Sequence, residues 1–184
     1  MKTLFTKQNI KYEGWQLCPH WIYKNFKIQG DATVAFTGEC EVKLSEMVDI
    51  EDVINNEPIY SKSMLSFISE QFNVGLVEGV FRQRLLICTI KEALEKRGFK
   101  IIRDGDDLFF EGRKLTVSIA TKSATSVLIH TGINIDSAGA PVKACGLTSE
   151  LGIVDIENFA NEIMDKYSKE IDDIIMASTK VRGV

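Results

Sequence analysis

Proline is scarce in this 184-residue chain, at three residues, and histidine is scarcer still, at two. With no low-complexity run either, there is little material for a long disordered arm. The four cysteines, Cys18, Cys40, Cys88 and Cys145, are widely spaced and form no Cys-x-x-Cys pair. That argues against a zinc ribbon or a thioredoxin-type motif. Positive charge is not in excess: 22 Lys and Arg stand against 26 Asp and Glu, for a net charge of −4. Non-specific nucleic-acid binding needs a basic footprint, so no nucleic-acid partner is expected. No stretch approaches the roughly 20 apolar residues that span a bilayer, and no membrane contact is expected. The start, Met1 to Gln8, lacks the apolar core of a secretory signal. The expected setting is a reducing cytoplasm with free thiols.

What is present is ordinary for a globular protein: 45% hydrophobic and 26% charged residues in a length that suits one well-cored domain over residues 1–184. Ala32, Val34 and Phe36, then Cys40, Val42 and Leu44, alternate about Gly38 and predict a strand with a glycine bend or a hairpin turn. Residues 47–60 mix carboxylates with apolar residues and end in the loop-like Asn55-Asn56-Glu57-Pro58. Met64 to Phe72 reads as a strand. Residues 78–97 have helical spacing, with Lys96, Arg97 and Gly98 as stop signals, and a strand follows at 100–103. At the C-terminus, Asp155 is a plausible N-cap. Ile156, Phe159, Ala160, Ile163 and Met164 build one helical face, continued by Tyr167, Ile171, Ile174 and Ile175.

The most informative stretch is Asp106-Asp107-Leu108-Phe109-Phe110-Glu111-Gly112-Arg113-Lys114-Leu115, followed by Ile129-His130-Thr131-Gly132-Ile133-Asn134-Ile135. It predicts a strand, a tight turn at Glu111-Gly112, a second strand, a polar turn and a third strand. In 114–122, Lys114, Thr116 and Ser118 share one face; in 127–135, His130, Gly132 and Asn134 do. Cross-strand partners lie on the same face. An odd-length turn centred near Ala124 would then set Lys114 near Asn134, Thr116 near Gly132 and Ser118 near His130. Gly132 would leave open backbone in the middle of that polar face. The overall expectation is an α+β fold, a mainly antiparallel sheet with helices packed on one face.

The order Asp107, Lys114 and Gly132-Ile133-Asn134 resembles the core of the biotin and lipoate protein ligases and octanoyl transferases. The resemblance covers about residues 78–165, with 1–75 as a family-specific part and 155–182 as a closing helical segment. Lys143-Ala144-Cys145-Gly146-Leu147-Thr148-Ser149 resembles the Cys-Gly segment of the transferases. The resemblance implies a fold like that of class II aminoacyl-tRNA synthetases. It also implies a Lys114/Cys145 acyl-transfer site, a lipoyl- or octanoyl-like acyl ligand and a carrier-protein partner. Over its full length the chain looks closer to a small uncharacterised prokaryotic family, a domain of unknown function. That match rests on Gly30-Asp31, Met47 to Asp52, Arg82-Gln83-Arg84 and Gly112 to Leu115. The sequence departs from the ligases upstream of the 78–97 helix. Only Val74-Gly75-Leu76-Val77-Glu78-Gly79 offers glycines there, so no adenylate-wrapping loop, and no defined cofactor, is implied.

The residues themselves carry these candidates. Lys114 could hold an acyl carbonyl. Cys145 could attack a thioester if its pKa were lowered, or be a small buried thiol. His130 and Asn134 could complete a polar wall beside Asp107. Arg82 and Arg84 could clamp a carboxylate or phosphate, or form surface salt bridges. His20, near Trp15, Trp21 and Tyr23, reads as packing or pocket wall. Asp49, Glu51 and Asp52 lack a histidine to complete a metal site and read as a solvated acidic turn. The alternatives to an acyl transferase are a binding module that keeps the fold without the nucleotide loop, holds a small acid or peptide and could form a homodimer, and an acyl-adenylate-forming ligase with an unusual loop.

Overall fold

The computed structural model describes residues 1–184. Its elements are β1 (Lys2–Asn9), α1 (Trp21–Phe26), β2 (Ala32–Val42), α2 (Ile50–Asn55), β3 (Ile59–Phe72), α3 (Leu76–Glu95), β4 (Ile101–Asp104), β5 (Asp107–Phe110), β6 (Arg113–Lys114), β7 (Thr116–Lys122), β8 (Ser126–Asp136) and α4 (Ile156–Ser178). The main sheet runs β1-β2-β3-β8-β7, and a smaller one runs β4-β5-β6. Only β1 and β2 pair in parallel; every other ladder is antiparallel. The α+β reading therefore holds. No helix is long and apolar enough to cross a membrane.

Both faces of the main sheet are covered. On one, α3 and α4 close a core that includes Leu65, Phe67, Leu86, Ile90, Ile133 and Tyr167. In α4 the residues Phe159, Ala160, Ile163, Met164, Tyr167 and Ile171 are buried, the i, i+3/i+4 stripe expected from the sequence, but Ile174 and Ile175, expected to continue it, are exposed because the last turns run past the sheet core. Each large apolar side chain buried there contributes about 1.5–3 kcal/mol as an upper estimate. Asp155 caps the helix by accepting from Asn158 N at 3.1 Å. On the other face, residues 10–26 lay Tyr12, Trp21 and Ile22 over Val34, Phe36, Cys40, Met64 and Ile68. Strand β3 lies beneath both layers, and Met64 to Gln71 are all buried.

Gly38 makes no hairpin turn, and of the two expectations the strand with a local glycine irregularity is the one found. Strand β2 runs through it, with an irregularity between Gly38 and Cys40. A Cβ at this position would lie 2.1 Å from the Ile10 carbonyl oxygen. The missing side chain lets the segment after β1 cross close over β2, where Tyr12 bridges to Cys40.

The β7–β8 register differs from the sequence expectation by one residue. Thr116 faces Ile133, Val117 faces Gly132, Ser118 faces Thr131, and Ile119 faces His130. The cause is the turn. Four residues, 123–126, separate the Lys122–Val127 pair, and Ser123 Oγ accepts from Thr125 N and Ser126 N. An even-length turn flips the parity of the pairing. Ser118 consequently faces the helices, bonded to Gln83 Nε2 at 3.1 Å and Thr131 Oγ1 at 2.8 Å. Gly132 is not open backbone: a Cβ there would sit 2.2 Å from the Met64 sulfur, so Met64 fills the gap. By contrast, the Glu111-Gly112 turn is as expected. Both residues have positive φ, 50° and 71°, as a two-residue hairpin of the I′ kind demands.

Gly38→Ala is expected to lower the unfolding free energy by about 1–3 kcal/mol, because the obstacle is a backbone carbonyl rather than a movable side-chain end. Gly75→Ala, where a Cβ meets nothing within 4 Å, is the control and should stay within about 1 kcal/mol. Urea midpoints at constant m decide between these outcomes.

Candidate functional site

The strand that begins at Arg113 is broken at Leu115. Arg113 and Lys114 pair with β5, whereas Thr116 onward pairs with β8. Leu115 bonds to both sheets. Its N–H donates to Leu108 O at 2.8 Å, and its carbonyl accepts from Asn134 N at 3.0 Å. The break turns Lys114 toward the side of the sheet lined by Val117, Ile119, His130 and Asn134. A cavity of about 220 Å³ opens there, between the sheet, α2 and the loop around Ala140 and Ala144.

The floor is neutral and polar. His130 is 4% exposed, and its ring stacks on Tyr12 with centroids 3.7 Å apart and planes 12° from parallel. His130 Nε2 lies 3.3 Å from Ser66 Oγ. Burial pushes its pKa down to about 3, so the imidazole is uncharged at neutral pH. Tyr12 and Asn134 are 3% and 8% exposed and line the cavity. The Tyr12 hydroxyl and the Asn134 amide have no hydrogen-bond partner in the chain, and neither is sealed from the cavity. Burial pushes the Tyr12 hydroxyl well above its ordinary pKa, so it stays protonated and can donate.

The rim is acidic. Lys114 Nζ lies 2.9 Å from Asp107 Oδ2. Asp106 is held from α3 by Gln83 Nε2 at 2.8 Å and Arg84 Nη1 at 3.0 Å. Burial nevertheless leaves its carboxyl above the usual range. Asp49 and Asp52, which the sequence suggested were solvated, are half-buried and line the cavity. Asp49 caps α2 through Glu51 N at 2.8 Å. Burial, then the neighbouring Asp49 charge, raises the Asp52 pKa. No three His, Cys, Asp or Glu side chains converge as a metal-ligand set.

Of the sequence candidates, Lys114, Asp107, His130 and Asn134 line this one cavity. Arg82, Arg84 and Cys145 do not. Arg82 pairs with Glu78 and bonds Gln71 Oε1, which ties α3 to the central strand. Gln71 in turn donates to Tyr167 Oη at 3.0 Å. Arg84 serves Asp106. Lys114 and Cys145 are neighbours through the backbone, with Cys145 N donating to Lys114 O at 2.9 Å. Their side chains diverge: Ala144 lines the cavity, while Cys145 is 0% exposed in the helix-side core. Its Sγ donates to Arg113 O at 3.4 Å, and burial raises its pKa. His20 lies apart, in a hollow with Tyr23, Glu70 and Phe72.

Among the glycines of the 74–79 run, Gly79 has a packing reason. A Cβ there would lie 2.5 Å from Val127 Cγ1, so glycine lets α3 sit close on β8.

Residues 1–182 match the family model described as a domain of unknown function, DUF366. The chain belongs to the DUF366 family. An uncharacterised protein from Methanocaldococcus jannaschii is 42% identical over 180 residues, which are 95% of this chain and 81% of that protein. A solved structure of a protein of unknown function from Pyrococcus horikoshi superposes with a TM-score of 0.94 at 39% identity, covering 100% of this chain and 98% of that one. The fold is also that of biotin and lipoate protein ligases. A biotin-bound biotin protein ligase variant from Aquifex aeolicus gives a TM-score of 0.62 at 13% identity, over 94% of this chain and 70% of its own. An ATP-bound lipoate-protein ligase A gives 0.57 at 13%, over 94% and 86%. The likeness thus reaches well beyond residues 78–165.

His130 makes acid stability a test of the site. Its folded pKa lies below the ordinary 6.5, so its contribution is fully present above about pH 6.5 and is lost as pH falls toward 3. At about 1.4 kcal/mol per pH unit, His130 by itself should make the protein about 2 kcal/mol less stable at pH 5 than at pH 7. His130→Gln should remove at least half of that difference in paired urea titrations.

Proposed function

We propose that this protein is a non-covalent small-molecule binding protein built on the ligase fold, with its ligand in the cavity beside Lys114, His130 and Asn134. The observation that carries the reading is a pair of polar groups on largely buried residues, Tyr12 Oη and the Asn134 amide, which have no partner in the chain and open onto the cavity. Convergent polar groups in a concave site are the usual mark of a binding pocket.

The acyl-transfer reading has one observation in its favour, the backbone adjacency of Lys114 and Cys145. Against it stands the thiol itself. A nucleophilic cysteine needs access and a lowered pKa, and Cys145 has neither: it is buried and its pKa is raised. Adenylate formation also fits poorly, because nucleotide phosphates would approach a rim with six carboxylate residues and one lysine.

Intact mass after incubation with a panel of acyl thioesters separates the two. No adduct is expected on the wild-type chain. A hydroxylamine-labile adduct that disappears in Cys145→Ser would establish covalent transfer and overturn the binding reading. Pyrophosphate release from ATP with octanoate, lipoate or biotin is likewise expected to be absent.

A further inference from the structure

The cavity is built in two chemical layers, and their order selects a class of ligand. Six carboxylate residues line it: Glu46, Asp49, Asp52, Glu57, Asp106 and Asp107. Two of these have cations within ion-pair distance, Asp107 with Lys114 and Asp106 with Arg84. Glu46, Asp49, Asp52 and Glu57 have none within 4 Å, while Lys114, the cavity's single cationic side chain, is already paired. The site is therefore short of positive charge. Asp49 and Asp52 are the half-buried members of the unpaired set, so their charges are less well solvated than those of the exposed Glu46 and Glu57.

Deeper in, the character changes. Tyr12 and Asn134 are more than nine-tenths buried, unpartnered and open to the cavity, and neither carries charge. Placing an ion against them without a counter-ion would cost far more than placing a neutral hydrogen-bonding group there. An ammonium is matched by the outer carboxylates, where three N–H donors meet acceptor-only oxygens. An amide or hydroxyl is matched by the floor. A lysine side chain entering from a partner protein would present the reverse order, with its charge at the leading tip. The volume, about 220 Å³, lies below the roughly 300–1,000 Å³ of drug-sized sites.

We propose that the cavity takes a free small primary amine that also bears a neutral amide or hydroxyl. The ammonium sits between Asp49 and Asp52, and the neutral group is bonded by Asn134 and Tyr12. This rests on the binding reading above and names its ligand class.

The test uses the full chain at pH 7, with dissociation constants read from chemical-shift titration. The probes are glycinamide, β-alaninamide and ethanolamine, their N-acetyl counterparts without the charge, octanoate, ATP and magnesium chloride alone. The amines are expected to bind and the N-acetyl compounds to bind at least tenfold more weakly. Asp52→Asn should weaken the amines at least tenfold, with an unchanged urea midpoint showing that it folds. Asn134→Ser should weaken glycinamide and β-alaninamide as well. If octanoate or ATP binds in the cavity and the amines do not, the amine proposal falls while the binding reading stands. A magnesium response abolished by Asp52→Asn, without an amine response, would assign the carboxylates to a metal and overturn the proposal. No response at Tyr12, His130 or Asn134 to any probe would sink both readings.

Discussion

Leu115 joins the two sheets, and the arrangement of the cavity depends on that joint. Its N–H belongs to the small sheet and its carbonyl to the large one. Leu108 N reinforces the joint by donating to Thr116 Oγ1 at 2.8 Å. Without the break, the alternation of a regular strand would send Lys114 to the helix face with Thr116 and Ser118. With it, the Lys114–Asp107 pair stands over His130 and Asn134. Leu115 itself is fully buried in the helix-side core. The same residue therefore anchors the packing and fixes the facing of the lysine.

A second close approach completes the other wall. Gly38 lets the chain after Ile10 pass within contact distance of β2, and two residues later Tyr12 stacks on His130. The stack shields the imidazole and keeps it neutral. The cavity thus has a floor of uncharged donors and acceptors under a rim of carboxylates. That chemistry is independent of the fold it sits on. The ligase likeness extends over 94% of the chain at 13% identity, and similar folds host unrelated sites.

The long periodic elements were legible because their patterns are local. Helices α3 and α4, the hairpin at Glu111-Gly112, β5 and β8 follow from spacing and turn chemistry within a few residues, whereas β6 and β7 read as one strand in the sequence and are parted at Leu115. His130 and Asn134 were legible as same-face partners, since i and i+4 on a strand must point the same way. Their relation to Lys114 came out right for another reason. The expected register put all three together, whereas the real register ties the Thr116 and Ser118 hydroxyls to Leu108, Gln83 and Thr131 and the break at Leu115 brings Lys114 back. Tyr12 carries no local signal for its place over His130, which depends on a crossing that only Gly38 hints at. Arg82 and Arg84 looked like an anion clamp because two arginines on one helical turn are ambiguous until their carboxylate and amide partners are placed.

By itself, the sequence determined the α+β class, most element types, the absence of a membrane-spanning helix and the identity of the polar residues on β8. Each is written in a window of a few residues, where sterics and hydrophobic periodicity act directly. The tertiary structure alone decided the β7–β8 register, the burial of Cys145 away from the cavity, the seat of Tyr12 and the acidic rim formed by Asp49, Asp52, Asp106 and Asp107. Those depend on one turn's length, one strand break and segments some 50 residues apart converging. Cα geometry along a single window cannot encode which distant charges will share a low-dielectric space, because that pairing exists only once the core has packed.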